Sequence, residues 1–258
     1  MHCLPLRWEF SKNIAPEDNG VFTSCSKNGI CFHRNHFRNI FIDAYHNGTE
    51  ITKWAKGEDP RVFEKDNHLY LVSNYLNRMK LFKLNGTTIL QQWKLPFRGK
   101  NIMPIDTTDK MFEFLDIQEK QIYSMMLLND SGVIYKRSPL KMIVGRNPHC
   151  PMTLNDCVLR GGTSGIKHCG GFMGAGHCTF CPGRRMQQHM STGKACHHKP
   201  FLWYTRDLGT VTAFPLCLSS KNIIDPTTIL ENKLLTSESD DWWFTPKQKF
   251  ANVEYRAV

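Results

Sequence analysis

The sequence predicts an all-β protein and, within that class, a β-propeller. Short segments rich in β-branched and aromatic residues alternate with turn signals along most of the chain, and helical periodicity is almost absent. Turn signals recur about every 40 residues, near residues 28, 67 and 108 and again near 47, 85 and 130, which is the repeat of a four-stranded blade. An irregular β-sandwich is the alternative that the spacing leaves open.

The same signals predict the individual strands and turns in order along the chain. Predicted strands include "GICFH", "NIFIDAY", "HLYLVSNYL", "MKLFKL", "TTILQQWKL", "MFEFLDI", "QIYSMMLL" and "GVIYKR", separated by turns such as "KNG", "HNG", "KDN" and "LNG". A fourth unit, from about 155 to 218, contains an insertion before strands resume at "PFLWYT" and "TVTAFPL". A fifth begins near 219, and this last blade looks incomplete.

The predicted domain organisation is therefore simple. Residues 1–17 are an N-terminal extension or the edge of a fragment, and 18–258 form one five-bladed propeller with a Cys/His-rich insertion at about 178–198. No run of about 18 apolar residues is present, so no transmembrane segment is predicted. The formal charge of +10 is spread along the chain without a dense basic block or a recognisable nucleic-acid module, so no nucleic-acid partner is predicted. A small phosphate-bearing ligand and a basic surface without a binding role both fit this distribution.

Three blade entrances combine charge with glycine or proline. They are "GEDPRVF" (57–63), "RGKNIMP" (98–104) and "LRGGTSGI" (159–166). Since the inner strands of a propeller end at a central funnel, polar residues at these entrances are expected to line one ligand site. A charged turn, with Pro60 setting the backbone for a strand, is the ordinary alternative for the first entrance.

The order of these motifs, followed by "KHCGGFMGAGHC", resembles the five-bladed propellers of glycoside hydrolase family 130 and its relatives, the β-mannoside phosphorylases and β-1,2-mannosyltransferases. The resemblance covers roughly residues 18–225. It implies that Asp59 is the single catalytic acid, which protonates the glycosidic oxygen while phosphate attacks the anomeric carbon with inversion. It further implies substrate-binding or phosphate-binding roles for a set of polar residues: Arg34, Arg61, Lys100, Asn101, Arg160 and His177.

The chemistry agrees with this assignment. Phosphorolysis needs one carboxylic acid and a cationic clamp for the attacking anion, and a glycosyltransferase would use the same cations for a nucleotide-sugar. An inverting hydrolase needs a second carboxylate to activate water. Glu58 is next to Asp59 and would point to the other face of a regular strand, so a hydrolase ranks below a phosphorylase or transferase. No cofactor is predicted beyond phosphate or a nucleotide-sugar as co-substrate.

Two other function classes stay open. The first is a propeller that binds a glycan or a protein without turnover, favoured by the missing second carboxylate and the doubtful last blade. The second is a zinc-dependent nucleic-acid binder, suggested by the net charge and by a pair of short Cys/His knuckles. Its candidate zinc ligands are Cys178, Cys181, Cys196 and His198. The preferred interpretation is that these cysteines form disulfides or are free buried thiols.

The ten cysteines and the three N-x-S/T sequons, at Asn47, Asn85 and Asn129, favour a protein of the secretory-pathway lumen or a secreted one. A cytoplasmic protein is the alternative, because "NGT" is also a common hairpin turn. The expected partners are an oligosaccharide or glycan together with phosphate or a nucleotide-sugar. The sequence sets neither the sugar, the linkage nor the oligomeric state.

Overall fold

The structure is a computed structural model. It describes residues 7–8, 23–26, 28–34, 41–47, 49–76, 78–99, 101–105, 111–128, 132–145, 154–155, 158–162, 164–168, 170–180, 197–215 and 255–256. All regular elements in these ranges are β-strands, so the all-β class is confirmed. No helix long and apolar enough to cross a membrane occurs among the described residues.

Three four-stranded antiparallel sheets follow one another, each with its strands paired in chain order. The first sheet contains β2 (Thr23–Cys25), β3 (Cys31–Arg34), β4 (Phe41–His46) and β5 (Thr49–Lys56). The second contains β6 (Glu58–Lys65), β7 (His68–Tyr75), β8 (Arg78–Asn85) and β9 (Thr88–Lys94). The third contains β10 (Met103–Ile105), β11 (Phe112–Asp116), β12 (Gln121–Leu127) and β13 (Val133–Pro139).

The fourth sheet is larger and mixed. Its strands are β14 (Lys141–Val144), β15 (Val158–Gly161), β16 (Ile166–His168), β17 (Gly171–Phe180), β18 (His197–Thr205) and β19 (Thr210–Pro215), in the order β14-β19-β18-β17-β15 with β16 paired to β17. β14 is parallel to β19, an addition that the sequence did not indicate. Outside these sheets, β1 (Arg7–Trp8) pairs antiparallel with β20 (Tyr255–Arg256).

The hairpins form where the turn residues predict them. Asp66 and Asn67, the two residues between β6 and β7, have φ of 50° and 59°, the left-handed values that a two-residue type I′ turn requires at both positions. Asp and Asn tolerate this conformation better than other non-glycine residues do. The local sequence therefore sets the register of β6 with β7 next to this turn, because a two-residue loop fixes which residues of the two strands are opposite each other there.

The hydrophobic cores lie between successive sheets. One contains Phe32 and Ile42 of the first sheet with Leu71 and Phe82 of the second. A second joins the second and third sheets through an aromatic group formed by Phe63, Tyr70, Trp93, Phe97, Phe112, Phe114 and Tyr123. A third packs Leu115 and Ile122 of the third sheet against Phe201, Trp203 and Val211 of the fourth. The four sheets are therefore stacked face to face in chain order.

Burial also changes across each sheet. The first strands of the second and third sheets, β6 and β10, are mostly buried, whereas the fourth strands β5, β9 and β13 are mostly exposed. The buried first strands contact neighbouring sheets: Val62 of β6 donates its N–H to Ser24 Oγ of β2 at 2.8 Å, and Gly165, between β15 and β16, donates its N–H to Pro104 O of β10 at 2.8 Å. The first two predicted entrances lie at the beginnings of β6 and β10, and the third extends from β15 to the start of β16.

Most of the predicted terminal segments lie outside the described residues. Of the N-terminal extension 1–17, only Arg7 and Trp8 are described, and of the predicted fifth unit, only Tyr255 and Arg256. The Cys/His-rich insertion is the connection between β17 and β18, and its residues 181–196 are not described. The extent of a fifth blade therefore stays a prediction.

Candidate functional site

Arg61 connects the three predicted entrances. It lies on β6, and its side chain is 1% exposed. The guanidinium donates from Nε to the Gly162 carbonyl oxygen, from Nη1 to the Asp59 carbonyl oxygen at 3.1 Å and from Nη2 to Asn101 Oδ1 at 3.2 Å. Because each partner belongs to a different entrance, this one side chain connects β6, the segment before β10 and the residue after β15.

The backbone at Asp59 is irregular. Asp59 has φ of 51°, and the pairing of β6 with β7 shifts register between Glu58 and Arg61, which is the signature of a β-bulge. Left-handed backbone at a non-glycine residue costs free energy and is found preferentially at functional sites. The bulge changes the direction of the Asp59 side chain, so the carboxylate meets a residue of the neighbouring sheet.

That residue is Arg34, the last residue of β3. Its Nη1 donates to Asp59 Oδ1 at 3.2 Å, and its Nη2 lies 3.7 Å from Glu58 Oε2. All three side chains are largely but not completely buried, with 24%, 13% and 21% of the Arg34, Asp59 and Glu58 side chains exposed. The group therefore combines restricted geometry with access from solvent, as a binding or catalytic site requires.

The position of Glu58 corrects the sequence analysis. Alternation along a regular strand places neighbouring side chains on opposite faces, and on that basis Glu58 was expected to point away from Asp59. The structure instead places both carboxylates beside the guanidinium of Arg34. The reason is the bulge, since an extra residue in one strand interrupts the alternation. The site thus contains two carboxylates.

The second entrance contributes Asn101. Its side chain accepts from Arg61, it is 9% exposed, and its φ of 60° is again left-handed. Gly161 packs directly against it: a Cβ added to Gly161 would lie 2.3 Å from the Asn101 carbonyl oxygen. Gly161 is therefore required for the close approach of its backbone to that of Asn101. Lys100, the other residue predicted here, lies outside the described residues.

The third entrance contributes Arg160, which is paired with the backbone of His177 on β17. These two residues are directly opposite each other in the pairing of β15 with β17. Arg160 is partly buried, and its Nε is buried without a hydrogen-bond partner. The His177 side chain is not among the described ones, so its predicted contact with substrate stays a prediction. Ser164 adds a further link, donating from Oγ to the Val62 carbonyl oxygen at 3.3 Å.

The cysteine cluster is described only in part. Cys178 is fully buried at the end of β17, and neither it nor Cys31 is a free thiol. Cys181 and Cys196 lie outside the described residues, as does the side chain of His198. With Cys181 and Cys196 outside the described residues, both the disulfide and the zinc interpretations of the whole cluster stay predictions.

One group in the described part of the chain has the ligand types of a divalent-cation site. His33 Nε2 lies 3.2 Å from Glu50 Oε1 and 3.8 Å from Asp43 Oδ2, and one ligand atom from each residue lies within 4.8 Å of the others. The spacing of these three residues in the sequence matches no metal-binding motif, so the group was not predicted. Asp43 Oδ1 also accepts the Lys53 N–H, so Asp43 stabilises the irregular pairing of β4 with β5.

Asp116 is a second residue that the sequence did not indicate. It ends β11, is 1% exposed and accepts the Glu119 N–H at Oδ1, at 3.0 Å. Its Oδ2 is buried without a partner and faces the Gly99 backbone, where an added Cβ would lie 3.0 Å away. Burial raises the pKa of the Asp116 carboxyl to about 6, because the charged form loses its hydration.

The raised pKa of Asp116 predicts a specific pH dependence of stability. The folded state binds the Asp116 proton more tightly than the unfolded state does. This tighter binding contributes to the free energy of unfolding below about pH 4, and the contribution is lost as pH rises through about 6. A pKa difference of this size corresponds to about 3 kcal/mol. We expect the free energy of unfolding of Asp116→Asn, relative to the parent, to rise by up to this amount between about pH 3.5 and 7.

Urea denaturation at several pH values measures this difference. Asp66→Asn is the matched control, because Asp66 is exposed in the β6–β7 turn and asparagine tolerates the same backbone conformation. The control should follow the parent at every pH. An Asp116→Asn profile parallel to that of the parent would show that the Asp116 carboxyl titrates normally in the folded protein.

No protein-family model matches the chain, and no curated protein sequence matches it.

Proposed function

We propose that this protein is carbohydrate-active and acts on a β-mannoside or related sugar by phosphorolysis or glycosyl transfer with inversion, with Asp59 as the catalytic acid. The observation that supports this most is the convergence of Arg34, Asp59, Arg61, Asn101 and Gly162, which come from four different sheets or their entrances. The order of the motifs that carry these residues resembles that of glycoside hydrolase family 130 and its relatives.

The proposed framework for the site is a five-bladed propeller. Three features of the fold support it: four-stranded sheets repeated in chain order, cores between successive sheets, and first strands that are buried and contact one another. In such an arrangement the ends of the first strands surround one funnel. β1 pairs with β20, two strands that are far apart in the chain, as closure of a ring would require.

The predicted site residues have three roles under this proposal. Asp59 donates the proton to the leaving oxygen, and Arg34 holds the orientation of its carboxylate through Oδ1. Arg61 is buried and already bonds three protein groups, so its role is to position the entrances rather than to contact phosphate directly. Lys100, Arg160 and His177 would then supply the contacts to the phosphate or to a nucleotide-sugar.

Glu58 makes hydrolysis a stronger competitor than the sequence indicated. A second carboxylate near Asp59 could activate water. An inverting hydrolase needs such a carboxylate, whereas a phosphorylase does not. The two mechanisms give different products from the same mannoside. Phosphorolysis yields a sugar 1-phosphate and consumes inorganic phosphate, whereas hydrolysis yields the free sugar and is independent of phosphate.

A non-catalytic glycan-binding protein is the second candidate. The arginines described around Asp59 are engaged with protein groups: Arg34 with the two carboxylates and Arg61 with three hydrogen-bond acceptors. A site whose cations are already paired favours a neutral ligand over an anion, because binding an anion would require breaking those pairs. A neutral oligosaccharide, held by hydrogen bonds, is the ligand that fits this description.

A product screen tests the proposal. The purified chain is incubated with a panel of β-mannosides plus phosphate, and separately with GDP-mannose plus mannoside acceptors, and products are identified by mass spectrometry. We expect a mannose 1-phosphate in the first arm or an extended mannoside in the second. Calorimetric binding of the oligosaccharides without any product would support the binding protein, and free mannose independent of phosphate would identify a hydrolase.

A further inference from the structure

The outermost strands of the first three sheets expose large apolar side chains. β5 exposes Ile51 (40%), β9 exposes Leu90 (55%) and β13 exposes Ile134 (52%), with Ile89 and Tyr135 exposed beside the last two. Among the described strands, each of these is the end member of its sheet and has one hydrogen-bonded neighbour. An exposed apolar edge strand is a template for pairing with another chain, and proteins usually protect it.

Two of the N-glycosylation sequons lie at the turns that precede the edge strands β5 and β9. Asn47, of the sequon "NGT", directly follows β4 and is separated from β5 by one residue. Asn85, of a second "NGT", is the last residue of β8 and precedes β9. Both sequons therefore occupy the connection between the third and fourth strands of their sheets. Asn129, of the third sequon, lies outside the described residues.

Local backbone geometry explains the first sequon but not the second. Asn47 has φ of 50°, so an asparagine there is favoured by the hairpin turn itself. Asn85 instead lies within β8, paired with Thr88, and Gly86 is the residue that takes the positive φ of 61°. Asn85 is exposed, and Thr87 is partly exposed. The turn therefore does not require asparagine at 85, while the side chain is accessible to modification.

We propose that Asn85 and Asn47 carry N-linked glycans that shield the apolar edge strands β9 and β5. The reaction is catalysed by an oligosaccharyltransferase with a lipid-diphosphate-linked oligosaccharide as donor. The Asn amide nitrogen forms a bond to the anomeric carbon of the sugar, the bond from that carbon to the phosphate oxygen breaks, and the lipid diphosphate leaves as the amide nitrogen loses one proton. Passage of the chain through the lumen of the secretory pathway follows from this proposal.

A hydrophilic glycan at each position would act directly on the exposed surface. Asn47 lies four residues before Ile51, and Asn85 lies five residues before Leu90, so each glycan is attached at the end of the edge strand that it would cover. A bulky, hydrated group there blocks the approach of a second chain to the unpaired edge of the sheet. The shielding is independent of the activity proposed above, because the edge strands are on the opposite side of each sheet from the inner strands.

Site-specific mass spectrometry tests the modification. The full chain is expressed behind a cleavable secretion leader in cultured eukaryotic cells and recovered from the medium, so that all the protein has passed through the lumen. Peptides are compared before and after treatment with peptide-N-glycosidase, which converts a glycosylated Asn to Asp. We expect conversion at Asn85 and Asn47. Recovery of both as unmodified Asn in secreted protein would overturn the proposal.

Two substitutions at Thr87 control for folding. Thr87→Val has almost the same shape but removes the sequon, and Thr87→Ser keeps it. The Thr87 carbonyl oxygen accepts the Trp54 Nε1–H at 2.6 Å, and neither substitution changes that backbone group. We expect complete loss of glycan at Asn85 in Thr87→Val and retention in Thr87→Ser, with both variants secreted.

Light scattering tests the shielding. The double variant Asn47→Asp with Thr87→Val lacks both sequons, while aspartate tolerates the left-handed backbone at residue 47. We expect it to aggregate severalfold faster than the parent on mild heating, and adding Leu90→Thr with Ile51→Thr should restore the parental rate. Equal aggregation of the parent and the double variant would show that the glycans do not shield these strands.

Discussion

Replacing Asp59 with asparagine is expected to lower the rate of the proposed reaction by about 10²–10⁴-fold, the range that positioned general acids contribute. Asparagine has the same shape and can still accept from Arg34 at its Oδ1 position, where the Arg34 Nη1 to Asp59 Oδ1 distance is 3.2 Å. It cannot donate a proton to a leaving oxygen. The loss should therefore appear in kcat, with substrate affinity and the folded structure largely preserved.

The assay is the one in which the parent forms product, with circular dichroism and urea denaturation to confirm folding. Glu64→Gln is the matched control, since Glu64 is an exposed carboxylate on the same strand, and it should retain full activity. An Asp59→Asn variant as active as the parent would exclude Asp59 as the acid. Glu58→Gln then separates the mechanisms, because hydrolysis would lose its water-activating group whereas phosphorolysis would not.

Replacing Arg61 with methionine is expected to lower the free energy of unfolding by about 3–5 kcal/mol, because leaving a buried acceptor unsatisfied costs about 1–3 kcal/mol and three acceptors are affected. Methionine keeps much of the aliphatic length but no donor. The Gly162 and Asp59 carbonyl oxygens and Asn101 Oδ1 would each lose a hydrogen bond from a charged donor at a site that is 1% exposed.

Urea denaturation of the parent and variant measures this loss. Arg78→Met is the control, because Arg78 is exposed on β8 and its substitution should change stability by no more than about 0.5 kcal/mol. The free energy of unfolding of Arg61→Lys should lie between those of Arg61→Met and Arg78→Met. An ammonium keeps the charge but cannot reach three acceptors as the planar guanidinium does. If Arg61→Met is as stable as Arg78→Met, the three entrances are not held together by this side chain.

The strands and turns were predictable because their signals are local. Alternating apolar residues and turn pairs such as Asp66 and Asn67 act over a few residues, and the structure forms hairpins where these signals occur. Convergence of the entrances was predictable for a related reason: a repeated unit places equivalent segments in equivalent positions. The contacts of Arg61 with Asp59, Asn101 and Gly162 agree with that expectation.

The direction of Glu58 was not predictable from the strand pattern. Alternation assumes regular pairing, and the bulge at Asp59 depends on how β6 pairs with β7 and on Arg34 of another sheet. The environment of Asp116 was equally hidden, because its burial comes from packing between sheets and not from its neighbours in the chain. The group formed by His33, Asp43 and Glu50 depends in the same way on the registers of two hairpins.

The sequence by itself determined the all-β class, the positions of the hairpins and the identity of the residues at each entrance. These properties depend on interactions between near neighbours, which composition and periodicity record directly. Only the tertiary structure decided which of those residues touch, which carboxylates share one arginine and which strands are left exposed. Those properties depend on pairing registers and on packing between sheets, where residues far apart in the chain contribute comparably and no local pattern specifies the result.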